Sequence, residues 1–219
     1  MDTAAETLPR RIGLDALWAS CLAPAPGKLA ALFGPGASRL ALRAAAAPLL
    51  AGEAIVAVDG GNRFDPYEVA RAERALGGSG RAALSRLLVS RAFTCHQMEA
   101  LLSLRLPAAL ARERARIALV LGLPETFADE DVPYAEACRV FRGCLFALRR
   151  LSREGTRVVL AGEEGGTLFP FAPIKSRVSP LARVSPPSRA GFFRYLARTA
   201  DPLLLLGDGG GHSNPSSRV

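Results

Sequence analysis

The stretch LAALFGPGASRLALRAAAAPLLAGEAIVAVDGGNRFDPYEVARA, residues 29–72, decides the fold. It opens on a short apolar run, Leu29 to Phe33, and turns through Gly34-Pro35-Gly36 into an Ala/Leu-rich segment, Ser38 to Leu50. A second apolar run, Ile55 to Val58, ends at Asp59. A helix start follows, with Asp65 as N-cap and Pro66 at the first helical position, where a missing N–H costs nothing. Two short apolar runs separated by a longer helical one predict a βαβ unit and a parallel sheet.

The pattern continues outward. Further strands are predicted at Arg86 to Val89, Ile117 to Leu121, Arg157 to Leu160 and Leu203 to Leu206. Each is short and apolar throughout, as strands covered on both faces must be. Helices are predicted over Pro66 to Leu76, over Cys95 to Leu106 with Thr94 as cap, and over Tyr134 to Arg153. The last places Val140, Cys144, Ala147, Leu148 and Leu151 on one stripe. Its Arg142, Arg149, Arg150 and Arg153 read as a solvated face. The fold class expected is α/β, a mainly parallel central sheet with helices on both faces. Gly77-Gly78-Ser79-Gly80 reads as a short loop.

Composition narrows the function classes. The chain has 219 residues, 49% hydrophobic but only 6% aromatic, so Leu, Ala and Val build its core. No apolar run reaches the roughly 18 residues of a membrane span, and the first residues do not look like a signal peptide; both point to a cytoplasmic location. The formal charge is +8, and only Lys28 and Lys175 are lysines among 28 basic residues. Such a surface serves nucleic acid, an anionic membrane or an acidic protein alike. Cys21, Cys95, Cys138 and Cys144 form no CxxC pair, His96 beside Cys95 is not a ligand set, and no metal site is expected. Buried thiols are the expectation instead.

The order of segments resembles the RecA-type recombinase core. In RRIGLDALWASCLAPAPGKLAALFGPGASRLAL (residues 10–42), Gly13, Leu14, Asp15 and Leu17 match the family's opening phrase. Gly27, Lys28, Leu29 and Phe33-Gly34-Pro35 match the strand that leads into its phosphate loop. AIVAVDGGNRFDPYEVAR (54–71) is similar to the second strand and the helix after it, and LLVSRAFTCHQMEALL (87–102) to the third. IALVLGLPETF (117–127) falls where the Walker B strand belongs, RVVLAGE (157–163) on the next strand, and FFRYLARTADPLLLLGDG (192–209) on the closing one. The resemblance covers residues 11–207, a RecA-like core of the P-loop NTPase kind. Residues 1–10 are left as an extension, 163–189 as a basic flexible loop within the core, and 208–219 as a disordered tail.

The resemblance fails where the chemistry sits. A P-loop needs backbone N–H groups around the phosphates, a Lys for the β/γ oxygens and a Ser/Thr for Mg²⁺. Gly34-Pro35-Gly36-Ala37-Ser38-Arg39 lacks the terminal Gly-Lys-Ser/Thr and is about two residues short, and the planar fork of Arg39 is not equivalent to that Lys. The Walker B Asp position falls at Gly122, and the family's activating Glu falls at Gly61, with Asp59 as the surviving acid.

The resemblance therefore implies an ATPase-deficient accessory protein of DNA recombination or repair, using neither ATP nor Mg²⁺, its former site filled by side chains such as Arg39 or simply closed. Its partners would be a recombinase, a repair polymerase or an active RecA-like relative, in a cytoplasmic, nucleoid-associated setting. The alternative is a DNA-dependent ATPase that binds Mg·ATP through an atypical cradle of Gly34, Pro35, Gly36, Ser38 and Arg39, with Asp59 or Glu125 as the acid. Two readings stand for Lys175, Arg177, Arg183 and Arg189 in the basic loop: contacts to single-stranded DNA, helped by Phe169 and Phe171, or a solvated linker. The segment Leu123 to Pro133, with Glu125, Asp129, Glu130 and Asp131, reads as an acidic loop capping the next helix.

Overall fold

Apolar segments with no polar alternation can be strands only if both faces are covered, and this chain covers them. The computed structural model describes residues 24–127, 131–163 and 190–206. Among the described residues six strands, β1 (Leu29–Phe33), β2 (Ile55–Asp59), β3 (Leu87–Arg91), β4 (Ile117–Leu121), β5 (Arg157–Gly162) and β6 (Ala200–Leu205), form one sheet in the order β3-β2-β4-β5-β1-β6. Every pairing is parallel. β1, β2 and β4 are buried at every position, whereas β3 lies at the sheet's edge and is only partly covered.

The helices divide between the two faces. α1 (Ala37–Ala44), α2 (Ala46–Leu50), α3 (Pro66–Ala75) and α4 (Arg81–Ser85) cover one, through Ala41, Leu42, Leu49, Val69 and Ala83 against Leu32, Ala57 and Leu119. α5 (Cys95–Ala100), α6 (Leu106–Arg112), α7 (Tyr134–Arg153) and α8 (Ala190–Ala197) cover the other, through Met98, Leu110, Phe141, Leu148 and Leu196 against Phe33, Val58 and Val120. The fold is α/β with an all-parallel sheet. Among the described residues no helix is long and apolar enough to cross a membrane.

Two expected helices differ, each because of a proline. The segment Ser38 to Leu50 breaks at Ala45 into α1 and α2. Pro48 has no N–H to give Ala44, four residues back, so the ladder is interrupted there. The segment Cys95 to Leu106 continues to Arg112 through a widened π turn at Leu101–Arg105. Pro107 likewise leaves the Ser103 carbonyl without its helical donor, and the wider turn precedes it. β3 begins one residue later than expected and reaches Arg91, β5 reaches Gly162, and β6 spans Ala200–Leu205. The Asp65 and Thr94 caps accept from Tyr67 N (2.8 Å) and Gln97 N (3.2 Å).

α7 carries two phenylalanines on opposite faces. Phe141 is 2% exposed within an aromatic group with Phe127 and Phe192, while Phe146 is 66% exposed. Phe141→Ala should therefore cost about 3–5 kcal/mol in urea unfolding. Phe146→Ala should stay within about 0.5 kcal/mol of the parent in the same measurement.

Candidate functional site

The site is built where β1 hands over to α1, at the carboxyl edge of the sheet. The turn after β1 forms one crevice with the end of β5, and the chains leaving β2 and β4 towards opposite faces form a second; β3, whose chain also leaves opposite to that of β2, forms another at the sheet's edge. Ligands of open parallel sheets enter at such points. Gly34 and Gly36 both adopt positive φ, 117° and 78°, which allows the tight turn. A side chain on Gly34 would meet Leu206 O at 2.3 Å.

The first crevice holds a carboxylate of the chain itself. Gly36 N donates to Glu163 Oε2 at 2.7 Å, and Ser38 N donates to Glu163 Oε1 at 3.1 Å. The first N–H groups of a helix have no partner within it and sit at its positive end, so they favour an anion. Here that anion is Glu163, one residue beyond β5, and its oxygens take the donors that would otherwise be open to an anionic ligand. Glu163 is itself held, because its N–H donates to Glu125 Oε1 at 2.7 Å. Gly34 N donates to Gly162 O at 3.1 Å and closes the same corner.

The second crevice is closed by backbone. Gly122, at φ 66°, donates its N–H to Ala161 O at 2.8 Å. A Cβ on Gly122 would lie 2.5 Å from Gly61 N and 2.7 Å from Gly61 Cα. The two positions where the resemblance places acids are thus glycines packed against one another. The Thr126 hydroxyl lies 2.8 Å from Gly122 O and 3.1 Å from Gly60 O, pinning both turns. No acid fits at position 122 without moving the strand ends apart.

Asp59 does not join Gly36. β2 lies three strand spacings from β1, about 14 Å. Its buried carboxylate accepts from Arg63 N (2.9 Å) and Phe64 N (3.1 Å) and pairs with Arg91 Nε at 3.4 Å. It holds the turn into α3. Arg39 does not fill the site either; it is exposed and makes no hydrogen bond or ion pair among the described residues. Pro35 is exposed, and Ser38 is buried with no partner for its hydroxyl. Glu125, expected in a loop capping α7, serves Glu163 instead, because β4 and β5 are neighbours and their ends meet.

No protein-family model matches this chain, and no curated protein does. The residues themselves must carry the reading. Glu163 was missed because it looks like the first residue of the basic segment 163–189; the available signal was an acid closing a strand at the carboxyl edge. Lys175, Arg177, Arg183 and Arg189 lie outside the described residues, as do Gly13, Leu14, Asp15, Leu17, Cys21, Phe169, Phe171, Asp129 and Glu130, and the segments 1–10 and 208–219.

Other candidate chemistry is quiet. His96 Nε2 lies 3.3 Å from Glu136 Oε1 at the surface. Burial, with Glu99 and Cys95 nearby, pushes the Cys144 thiol up to about 12, so it stays protonated at physiological pH and is a poor nucleophile.

Gly122→Ala should lower stability by about 2–4 kcal/mol, combining a positive φ with overpacking against Gly61. Gly61→Ala, whose nearest neighbour is the movable Arg63 side chain at 3.1 Å, should cost less in the same denaturation series.

Proposed function

We propose that this chain is a RecA-like protein without ATP hydrolysis, a scaffold that acts through protein contacts in DNA recombination or repair. The observation that carries the first half is the Glu163 carboxylate on Gly36 N and Ser38 N. A nucleotide phosphate must displace a group already tethered at hydrogen-bond distance. Tethered groups act at effective concentrations on the order of millimolar or higher, so cellular nucleotide holds little advantage.

Mg·ATP does not fit the residues present. The two first-turn donors are taken, no Lys follows Gly36, and Gly122 leaves no room for the acid that would hold a metal shell. No hydrolytic step is derived from this site.

The assignment to recombination or repair is supported by the order of matched segments over residues 11–207 and by the formal charge of +8. On this reading the partner is a recombinase, a repair polymerase or an active RecA-like relative, and single-stranded DNA binding is a weaker, second activity. The parallel sheet is retained as a rigid frame, and its surface helices do the work.

Calorimetric titration with millimolar Mg·ATP tests the reading. The wild type should release no binding heat and show no phosphate release above buffer. Glu163→Ala, with the first-turn amides freed, should gain weak binding of inorganic phosphate or nucleotide. Saturable ATP binding by the wild type that is lost in Arg39→Ala would mean that the loop cradles phosphate after all, and phosphate release lost with it would favour the atypical-cradle ATPase instead.

A further inference from the structure

The outward face of α7 carries an organised surface that a merely solvated helix does not need. At about 100° per residue, Arg139, Arg142, Arg149, Arg150 and Arg153 fall within an arc of roughly 100° centred near Phe146. Arg139, Arg142, Phe146, Arg150 and Arg153 are exposed and Arg149 is half-buried. The buried residues Val140, Cys144, Leu148 and Leu151 occupy the opposite side. A phenylalanine 66% exposed at the centre of a cationic stripe has no role in the core.

The stripe is about 21 Å long at 1.5 Å per residue. At Arg142 it runs into a cleft of about 230 Å³ between α7 and α8, lined by Tyr134, Cys138, Phe141, Gly191, Phe192 and Tyr195. The cleft is apolar and the stripe is positive, so one ligand covering both must be acidic and carry a large apolar side chain. Among the described residues acids stand at the flank of the arc, where the Glu99 carboxylate also lies against Gly143. Glu154 lies 3.9 Å from Arg150, and Glu136 pairs with His96.

We propose that this face docks an acidic amphipathic helix of a partner protein, with carboxylates along the arginine stripe and an apolar anchor in the cleft. Three features favour a protein helix over nucleic acid. The surface is a convex helical ridge, which packs into the groove of another helix, whereas single strands are held in basic grooves. The adjoining cleft is apolar and calls for a large apolar side chain, which a protein helix carries beside its carboxylates. Arginine beside an exposed aromatic ring is a composition enriched at protein interfaces, and the guanidinium fork pairs with carboxylates in two-point fashion. The proposal extends the scaffold reading by giving the partner's chemistry, but stands on α7 and α8 alone.

The test uses fluorescence anisotropy with the full chain and three labelled probes. One is a helical peptide of roughly 14 residues, the length of the stripe, with glutamates on one face and leucines beside them. The second is the same composition scrambled, and the third is an oligothymidine. The patterned peptide should bind in a salt-sensitive manner and more tightly than the scrambled one. Phe146→Ala and Arg142→Glu/Arg149→Glu should each weaken it by about tenfold or more. The charge-matched control Arg81→Glu/Arg86→Glu, on the opposite face of the sheet, should not. Thermal melts confirm that these surface variants fold.

Equal binding of both peptides, or no loss in the α7 variants, would overturn the proposal. Tighter oligothymidine binding that is lost in Phe146→Ala would overturn it in favour of a nucleic-acid surface. Each of these outcomes is separate from the behaviour of Glu163, so the docking proposal and the dead-site reading fail independently.

Discussion

The carboxylate of Glu163 lies across the first turn of α1, and the character of the molecule follows from that contact. A helix that starts at the carboxyl edge of a parallel sheet presents unpaired N–H groups and a positive end to the crevice. Something negative must satisfy them. In a nucleotide-binding protein the ligand does so; here the chain does it with the residue that follows β5, and Glu125 holds the backbone of Glu163 in turn. The same interaction ties α1 to the end of β5, so the corner is complete without a ligand.

The second crevice shows the same outcome by a different route. Gly61 and Gly122 lie backbone against backbone, with the Thr126 hydroxyl beside the Gly60 and Gly122 carbonyls. Asp59 is consumed by Arg63 N, Phe64 N and Arg91. Both of these corners are thus filled by the protein. Among the described residues the outside of the helices remains available, where α7 carries its arginines and an uncovered aromatic ring.

Much of the frame was legible in the sequence. β1, β4 and α7 have the bounds read from apolar runs and helical periodicity, and Asp65 and Thr94 cap the helices assigned to them. Local rules suffice there because each element is decided by its own residues. The breaks around Pro48 and Pro107 were also local and could have been read from the missing donors. Of the site, glycine at 61 and 122, where the RecA-type resemblance expects acids, is visible in the chain. The Glu163 contact was not, because Glu163 meets Gly36 only once β5 lies beside β1, a juxtaposition made across 127 residues. Arg39 looked like the substitute cation because it follows the loop, yet helical geometry turns it outward. Phe146 escaped notice because the stripe was counted by its arginines.

Amide hydrogen exchange at Gly36 and Ser38 tests the central claim most directly, since Glu163 is the acceptor of both N–H groups. The account predicts that both amides are protected in the wild type and that Glu163→Ala speeds their exchange while β1 and β5 stay protected. Exchange at the unprotected rate in the wild type, or an unchanged rate in the variant, would contradict it.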